Sequence, residues 1–448
     1  MYKTINSFFS YLNNKRSLFV LTPNRTSFGN SSEELLFGLM RVQHLEKKLL
    51  LVYPKLKIAG KSLSIVNKEI YHLESSLISI NSNFKIFIYG SFLTIYILLL
   101  RVIDFIRKLV FVRKCIRILF YKIEVNPTRI DGFVVPQIGR GDIWQPFNTK
   151  SFSWDVVKNE NWAKQYANYV PPNISSERLK ELHKVRIEMG IPINDWFVCI
   201  HVSEAIHPNP PTVRHASIEN YIEGIKSIVN AGGWVVRLGT PDMKKLPQMD
   251  KVVDYGHLKY KNELMDLYLI NQCKFFVGLA SGPTFVAALF DKPQILVNMT
   301  DWSMGIPLKK GNLMITKHVF SKSRNRFLSV REITEEPYDI TVFEKPSDEY
   351  TLYENSPNEI KDVIEEFLNH ENSFEYSQLQ KEFNFARKKA IKKWIDGGAP
   401  QWSGVPLNQN MFSQYRIASR IDAGGTMGNK YLTDNWAEDP FSKLKSFS

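Results

Sequence analysis

The residues of this 448-residue chain best suited to chemistry stand at the ends of short apolar runs. FVCIHV carries His201 and passes into Ser203 and Glu204, with Arg214 on the loop beyond. WVVRLG carries Arg237 and leads to Asp242, and VVDYG carries Asp254. FFVGLASGP turns through Ser281, Gly282 and Pro283 into a helical stretch, and QILVNM ends near Asn298. Two guanidinium groups, an imidazole and an exposed helix start are the parts of an anion site, since unpaired N–H groups and the helix dipole both favour a phosphate there. Asp254 suits a ribose or sugar hydroxyl. Glu204 and Asp142, the latter in the loop GRGD, are the carboxylates available as a general base.

Each of these residues also has a plainer reading. Arg237 pairs with Asp254 as a structural bridge, His201 is a satisfied strand-end histidine, Glu204 is solvated, and Asp242 beside Pro241 shapes a turn. The turn after FFVG caps its helix with Ser281 and binds nothing. The joint placement favours the site: in a parallel sheet the carboxyl ends of all strands face one crevice, where open α/β sheets bind ligands.

The elements that would bring these residues together are legible as alternating patterns. Strands are expected at Trp196 to Val202, Trp234 to Leu238, Val252 to Tyr255, Phe275 to Val277 and Gln294 to Asn298, with helices at Ile218 to Asn230, Asn262 to Gln272 and Thr284 to Phe290. Continuous apolar strands joined by helices indicate a parallel sheet covered on both faces. A first βα unit is expected near the start: a strand at Ser17 to Leu21, a helix over EELLFGLMRVQHLEK and a strand over KKLLLVYP, with Gly29 and Asn30 before the helix open to a ligand. After Asn298 only Pro357 to His370 has clear helical period.

Within the first half, IFIYGSFLTIYILLL holds no charge and is followed by a segment repeating Arg101, Arg107, Lys108, Arg113, Lys114 and Arg117 among large apolar residues. Fifteen uncharged residues are short for a span, whereas a basic amphipathic helix suits an anionic membrane surface. The alternative is a buried helix followed by a solvated one.

A net charge of +13 fits phosphorylated ligands or anionic membrane, and no nucleic-acid-binding motif accompanies it. Neither a G-x-G-x-x-G fingerprint nor a P-loop is present, and with no metal-binding pair after a strand neither metal nor other cofactor is expected. The three cysteines, Cys115, Cys199 and Cys273, lie in apolar runs as small hydrophobes of a reducing compartment. The opening stretch lacks a secretory h-region, so a cytoplasmic protein, peripheral on the inner face of the membrane, is expected.

On the residues FVCIHVSE, RHASIENYIEGIKSIVNAGGWVVRLG, VVDYG and DLYLINQCKFFVGLASG, the chain resembles bacterial GT-B glycosyltransferases of surface-polysaccharide gene clusters. The likeness covers about residues 190 to 335, is weak for any substrate, and is far weaker in the N-terminal half. It implies an α/β fold of two Rossmann-like domains facing a cleft. The division expected is 1–150, with the basic apolar segment at 86–122, a connection at 151–190, the nucleotide-sugar domain at 191–345, and a helix with an irregular tail at 346–448. A nucleotide-diphosphate sugar would donate to a glycan or lipid-linked acceptor, its diphosphate held by Arg237, Arg214 and the Ser281–Gly282 turn. The HV-x-E strand end also resembles, distantly, the fucosyltransferase branch, in which an arginine after the His-Val strand grips the diphosphate. Ser203 holds that place here, which leaves Arg214 or Arg237 to do so. Two alternatives keep the fold: a nucleotide-sugar epimerase or hydrolase, and a non-catalytic, membrane-associated assembly protein.

Overall fold

The computed structural model describes residues 18–21, 28–44, 46, 48–51, 57–58, 61–62, 67–78, 91, 95, 167–205, 212–300, 302–335, 348–370, 373–393, 401–402, 405–406 and 421–437. Two compact units separate: residues 1–71 with 75–153, and residues 72–74 with 154–448. In the first, β1 (Leu18–Leu21) and β2 (Lys48–Leu51) pair in parallel, with Leu18 opposite Lys48, and α1 (Phe28–His44) crosses between them. The helix starts a turn earlier than its apolar period suggests. Gly29 and Asn30 therefore lie inside it rather than in a loop open to a ligand, and Leu35, Leu36, Leu39 and Met40 are buried.

The second unit opens with α2 (Ser176–Glu188) and β3 (Phe197–His201), then continues through α3 (Ile222–Asn230), β4 (Trp234–Leu238), β5 (Val252–Asp254), α4 (Glu263–Gln272), β6 (Phe276–Gly278), α5 (Gly282–Leu289), β7 (Gln294–Met299) and β8 (Leu313–Thr316). The chain then forms β9 (His318–Ser321), β10 (Arg326–Phe327), α6 (Val330–Glu335), β11 (Tyr350–Tyr353), α7 (Pro357–His370), α8 (Gln378–Lys393), β12 (Thr426–Met427) and α9 (Asn429–Asn435). One seven-stranded sheet runs β12-β8-β7-β6-β3-β4-β5, parallel throughout. The order from β5 to β8 is that of a Rossmann-like sheet, which reverses direction between its first and fourth strands. Here those strands are β3 and β6.

Register fixes which side chains share a face. Ile200 pairs with Arg237, Arg237 with Asp254, and Ile200 with Val277, so these four lie on one face of the sheet. His201 pairs with Leu238 and Cys199 with Phe276, on the other. The first face packs on α3 and α7 through Ile225, Ile228, Ile360 and Ile364, and the Phe275 and Phe367 rings stand 5.0 Å apart. Gly224 makes that packing close: a Cβ there would stand 2.5 Å from Ile364 Cδ1. The second face packs on α2, where the Arg186 guanidinium lies 4.8 Å over the Phe197 ring, and on α5. Coverage on both faces explains why the strands read as unbroken apolar runs.

Short local signals start three of the later helices. Ser329 with Glu332, Ser356 with Glu359, and Ser377 with Gln380 exchange side-chain and backbone bonds at the first turns of α6, α7 and α8. Near the C-terminus, Thr426 pairs with Leu313 and Met427 with Met314, adding β12 to the sheet edge. Cys199 and Cys273 are buried and free, as their apolar surroundings suggest, and their thiols lie against each other.

Candidate functional site

At the point where strand order reverses, the chain leaves β3 through His201 and leaves β6 through the Ser281 turn. His201 Nδ1 and Ser281 Oγ are 3.0 Å apart, tying the two strand ends together. Gly278 ends β6 because a Cβ there would meet the Phe276 ring at 2.4 Å and Thr284 Oγ1 at 3.0 Å. Thr284 Oγ1 donates to the Leu279 carbonyl at 2.6 Å, closing the turn from within. Ser281 sits at the N-cap of α5 in extended conformation, but its hydroxyl does not cap the helix. The bond to His201 takes it instead. Ser281, Gly282 and Pro283 are partly exposed, so the start of the helix is open to solvent.

His201 is not a cation in this position. Burial, then the charges of Arg237 and Lys261, hold it down to about 4, so at neutral pH one ring nitrogen donates and the other accepts. The pair offers a ligand one oriented hydrogen-bonding group and a helix N-terminus.

Arg237 does not face this pair. Its side chain is 1% exposed and lies on the opposite face of the sheet. Its guanidinium donates to a Glu204 carboxylate oxygen and to the Lys244 carbonyl, with Asp254 Oδ1 at 3.4 Å. Asp254 also accepts from the Leu246 backbone at 2.9 Å. The bridging alternative for Arg237 therefore holds, and the expected clamp of Arg237 with Ser281 on one diphosphate is not formed: register parity sends Arg237 and His201, the partner of Ser281, to different faces. The same contacts place Glu204 and Asp254 as charge partners of a buried arginine rather than as a free base and a free hydroxyl acceptor.

Arg214 is half-buried on the loop after β3, and with burial its charge holds the neighbouring His215 below its usual range. Asp242 is exposed on the loop after β4. Asp142 and its Gly-bracketed loop lie outside the described residues, as does 86–122 apart from Ser91 and Ile95. Among the described residues no helix is long and apolar enough to cross a membrane, and no group of three or more His, Cys, Asp or Glu could hold a metal ion.

Asn298, at the end of β7, belongs to the scaffold. Its φ is 54°, it is fully buried, and its amide and side chain exchange bonds with Asn355: Asn298 N donates to Asn355 Oδ1 at 2.7 Å, and Asn355 N to Asn298 Oδ1 at 2.7 Å. Asn298 Nδ2 reaches the Tyr221 hydroxyl at 3.2 Å, and Asn355 Nδ2 the Thr316 carbonyl at 2.8 Å.

Sequence reasoning passed over a second group of residues, on the Arg237 side of the sheet. Glu204, Asp242 and Lys244 line a cleft of about 560 Å³ together with His215, Lys317 and Glu354. Lys317 was detectable: in NLMITKHVF a lone charge closes an apolar run, as Arg237 does in WVVRLG.

No protein-family profile matches this chain, and no curated protein does. Among solved structures it is similar to the dodecameric iron-containing heptosyltransferase TibC in complex with ADP-D-beta-D-heptose, at 20% identity and a TM-score of 0.17, over 23% of this chain and 28% of that one. It is also similar to the dodecameric glycosyltransferase TibC from enterotoxigenic E. coli H10407, at 12% identity and a TM-score of 0.26, over 62% of this chain and 57% of that one. The chain thus spans less than two thirds of either, and likenesses at these scores carry no functional meaning for it.

Proposed function

We propose that the protein is a glycosyltransferase of GT-B type, moving a sugar from a nucleotide-diphosphate donor to a surface-polysaccharide or lipid-linked acceptor without a metal. The observation that supports this most is the His201–Ser281 bond at the topological switch point, beside an α5 start that its own N-cap side chain leaves uncapped. That is where a Rossmann-like sheet receives a phosphorylated ligand. Donor phosphate against the α5 N-terminus and a neutral His201 would stabilise the departing diphosphate by fixed dipoles, and transfer would rest on positioning. Arg214, the remaining arginine of the expected set, stands between Val213 and His215, which line the cleft on the Arg237 side of the sheet, so dipoles rather than a guanidinium would hold the donor phosphate. With Glu204 held by Arg237, Asp142 is the base candidate left from the sequence. The basic segment at 86–122 would keep the protein peripheral on the inner membrane face, near a lipid-linked acceptor.

One observation favours the non-catalytic alternative: the burial of Arg237 removes a cation from the expected diphosphate grip. Calorimetric titration with ADP, UDP, GDP, CDP and dTDP separates the two. The transferase reading expects one of them to bind and Ser281→Ala to weaken it. Failure of all five to bind at millimolar concentration would count for the assembly protein.

A further inference from the structure

The cleft on the Arg237 side of the sheet has a charge pattern that the donor crevice does not explain. Lys317 follows β8 directly, its backbone N–H bound to the Met299 carbonyl at 2.8 Å, which fixes where the side chain starts. The residue is 4% exposed and lines the cleft. Nζ donates to the His215 carbonyl at 2.6 Å, one neutral acceptor for a group with three N–H donors. Among the described residues no carboxylate forms an ion pair with it. Glu354, whose charge it senses, gives Oε2 to Ser217 N at 2.8 Å and to Asn220 Nδ2 at 3.0 Å. Burying an ammonium is costly, and burial pushes Lys317 below its usual range, with the charge of Glu354 offsetting only part of it.

The other walls carry acceptors. Glu204 is tied to Arg237 and Glu219 to Lys244, while Asp242 stands exposed at the rim. Their carboxylate oxygens keep lone pairs that can accept from hydroxyl groups. A single buried cation among hydroxyl acceptors matches a polyhydroxylated ligand with one acidic group.

We propose that this cleft is a second ligand site, distinct from the donor crevice, that binds a sugar bearing one phosphate or carboxylate, with Lys317 Nζ as the counter-ion and the surrounding carboxylates as hydroxyl acceptors. Opposite faces of the sheet carry the two sites, so the second does not depend on the first holding a nucleotide.

Calorimetry on the full chain with glucose 6-phosphate, glucuronate, neutral glucose and inorganic phosphate tests it. At least one of the two acidic sugars is expected to bind more tightly than glucose or inorganic phosphate, and which of them does so tells phosphate from carboxylate. Lys317→Met should weaken that acidic sugar by roughly tenfold or more, with Lys317→Arg retaining most of the affinity and any nucleotide binding unchanged. Because Lys317→Met alters a buried position, Ala205→Trp serves as a second variant: it fills the cleft from an exposed rim residue and should abolish binding of the acidic sugar. Glucose binding as tightly as both acids, Lys317→Met or Ala205→Trp folding with acid affinity unchanged, or neither acid binding at all would each overturn the proposal.

Discussion

Replacing Arg237 by methionine removes a guanidinium that is 1% exposed and leaves its two carboxylate partners in place. The Glu204 side chain is 12% exposed and Asp254 21%, so neither recovers full hydration when the cation goes. Breaking a buried ion pair from one side costs about 3–5 kcal/mol, because it strands the partner charge and not because the pair itself contributes that much. Methionine approximates the volume of the arginine stem, which keeps the cavity contribution small. The lower end of the range applies, since Asp254 keeps its bond from Leu246 N and both carboxylates touch water. The expected loss is thus about 3 kcal/mol of unfolding free energy, read from the urea midpoint at constant slope. Arg237→Met combined with Glu204→Gln should restore part of it, giving a coupling of about 1 kcal/mol or more in a double-mutant cycle. An Arg237→Met variant with an unchanged midpoint and a weakened nucleotide affinity would refute this reasoning and return Arg237 to the diphosphate.

Further outcomes can be measured on the same scaffold. His201 has a folded pKa of about 4 against a usual 6.5, so its contribution to stability is complete above pH 6.5 and is lost as pH falls toward 4. Its ring protons should show no titration midpoint between pH 5.5 and 8 by NMR, and a midpoint near 6.5 would show that the imidazole is not held neutral. Asn298→Ala should destabilise by about 2–4 kcal/mol, combining a left-handed backbone with stranded buried partners. Asn298→Gly should recover about 1 kcal/mol of that in denaturant titration, since glycine accepts the backbone but not the hydrogen bonds. Converting Arg107, Lys108, Arg113 and Lys114 to Gln should release the protein from phosphatidylserine vesicles, and unchanged co-sedimentation would count against the membrane reading.

Much of the architecture follows from the order of residues alone. Apolar runs punctuated by turn residues specify Trp234–Leu238 with its observed ends, and apolar period specifies Pro357–His370 likewise. Short-range chemistry starts the late helices, through Ser329 with Glu332 and Ser356 with Glu359. The turn after FFVG is local too, because Gly278 and Thr284 close it among near neighbours. β12 was not legible: two residues in a Gly-rich stretch have no period, and Thr426–Met427 becomes a strand only because Leu313 and Met314 stand beside it. The clamp expected of Arg237 and Ser281 failed for a similar reason. Arg237 lies next to the end of its strand and Ser281 just beyond the end of another, both at the carboxyl edge, as their runs indicate. Which face each one meets depends on pairing between segments far apart in the chain, and a shift of one residue exchanges the faces. Pairing sets Ile200, not His201, against Arg237, so the arginine turns toward Glu204 while the histidine turns toward Ser281.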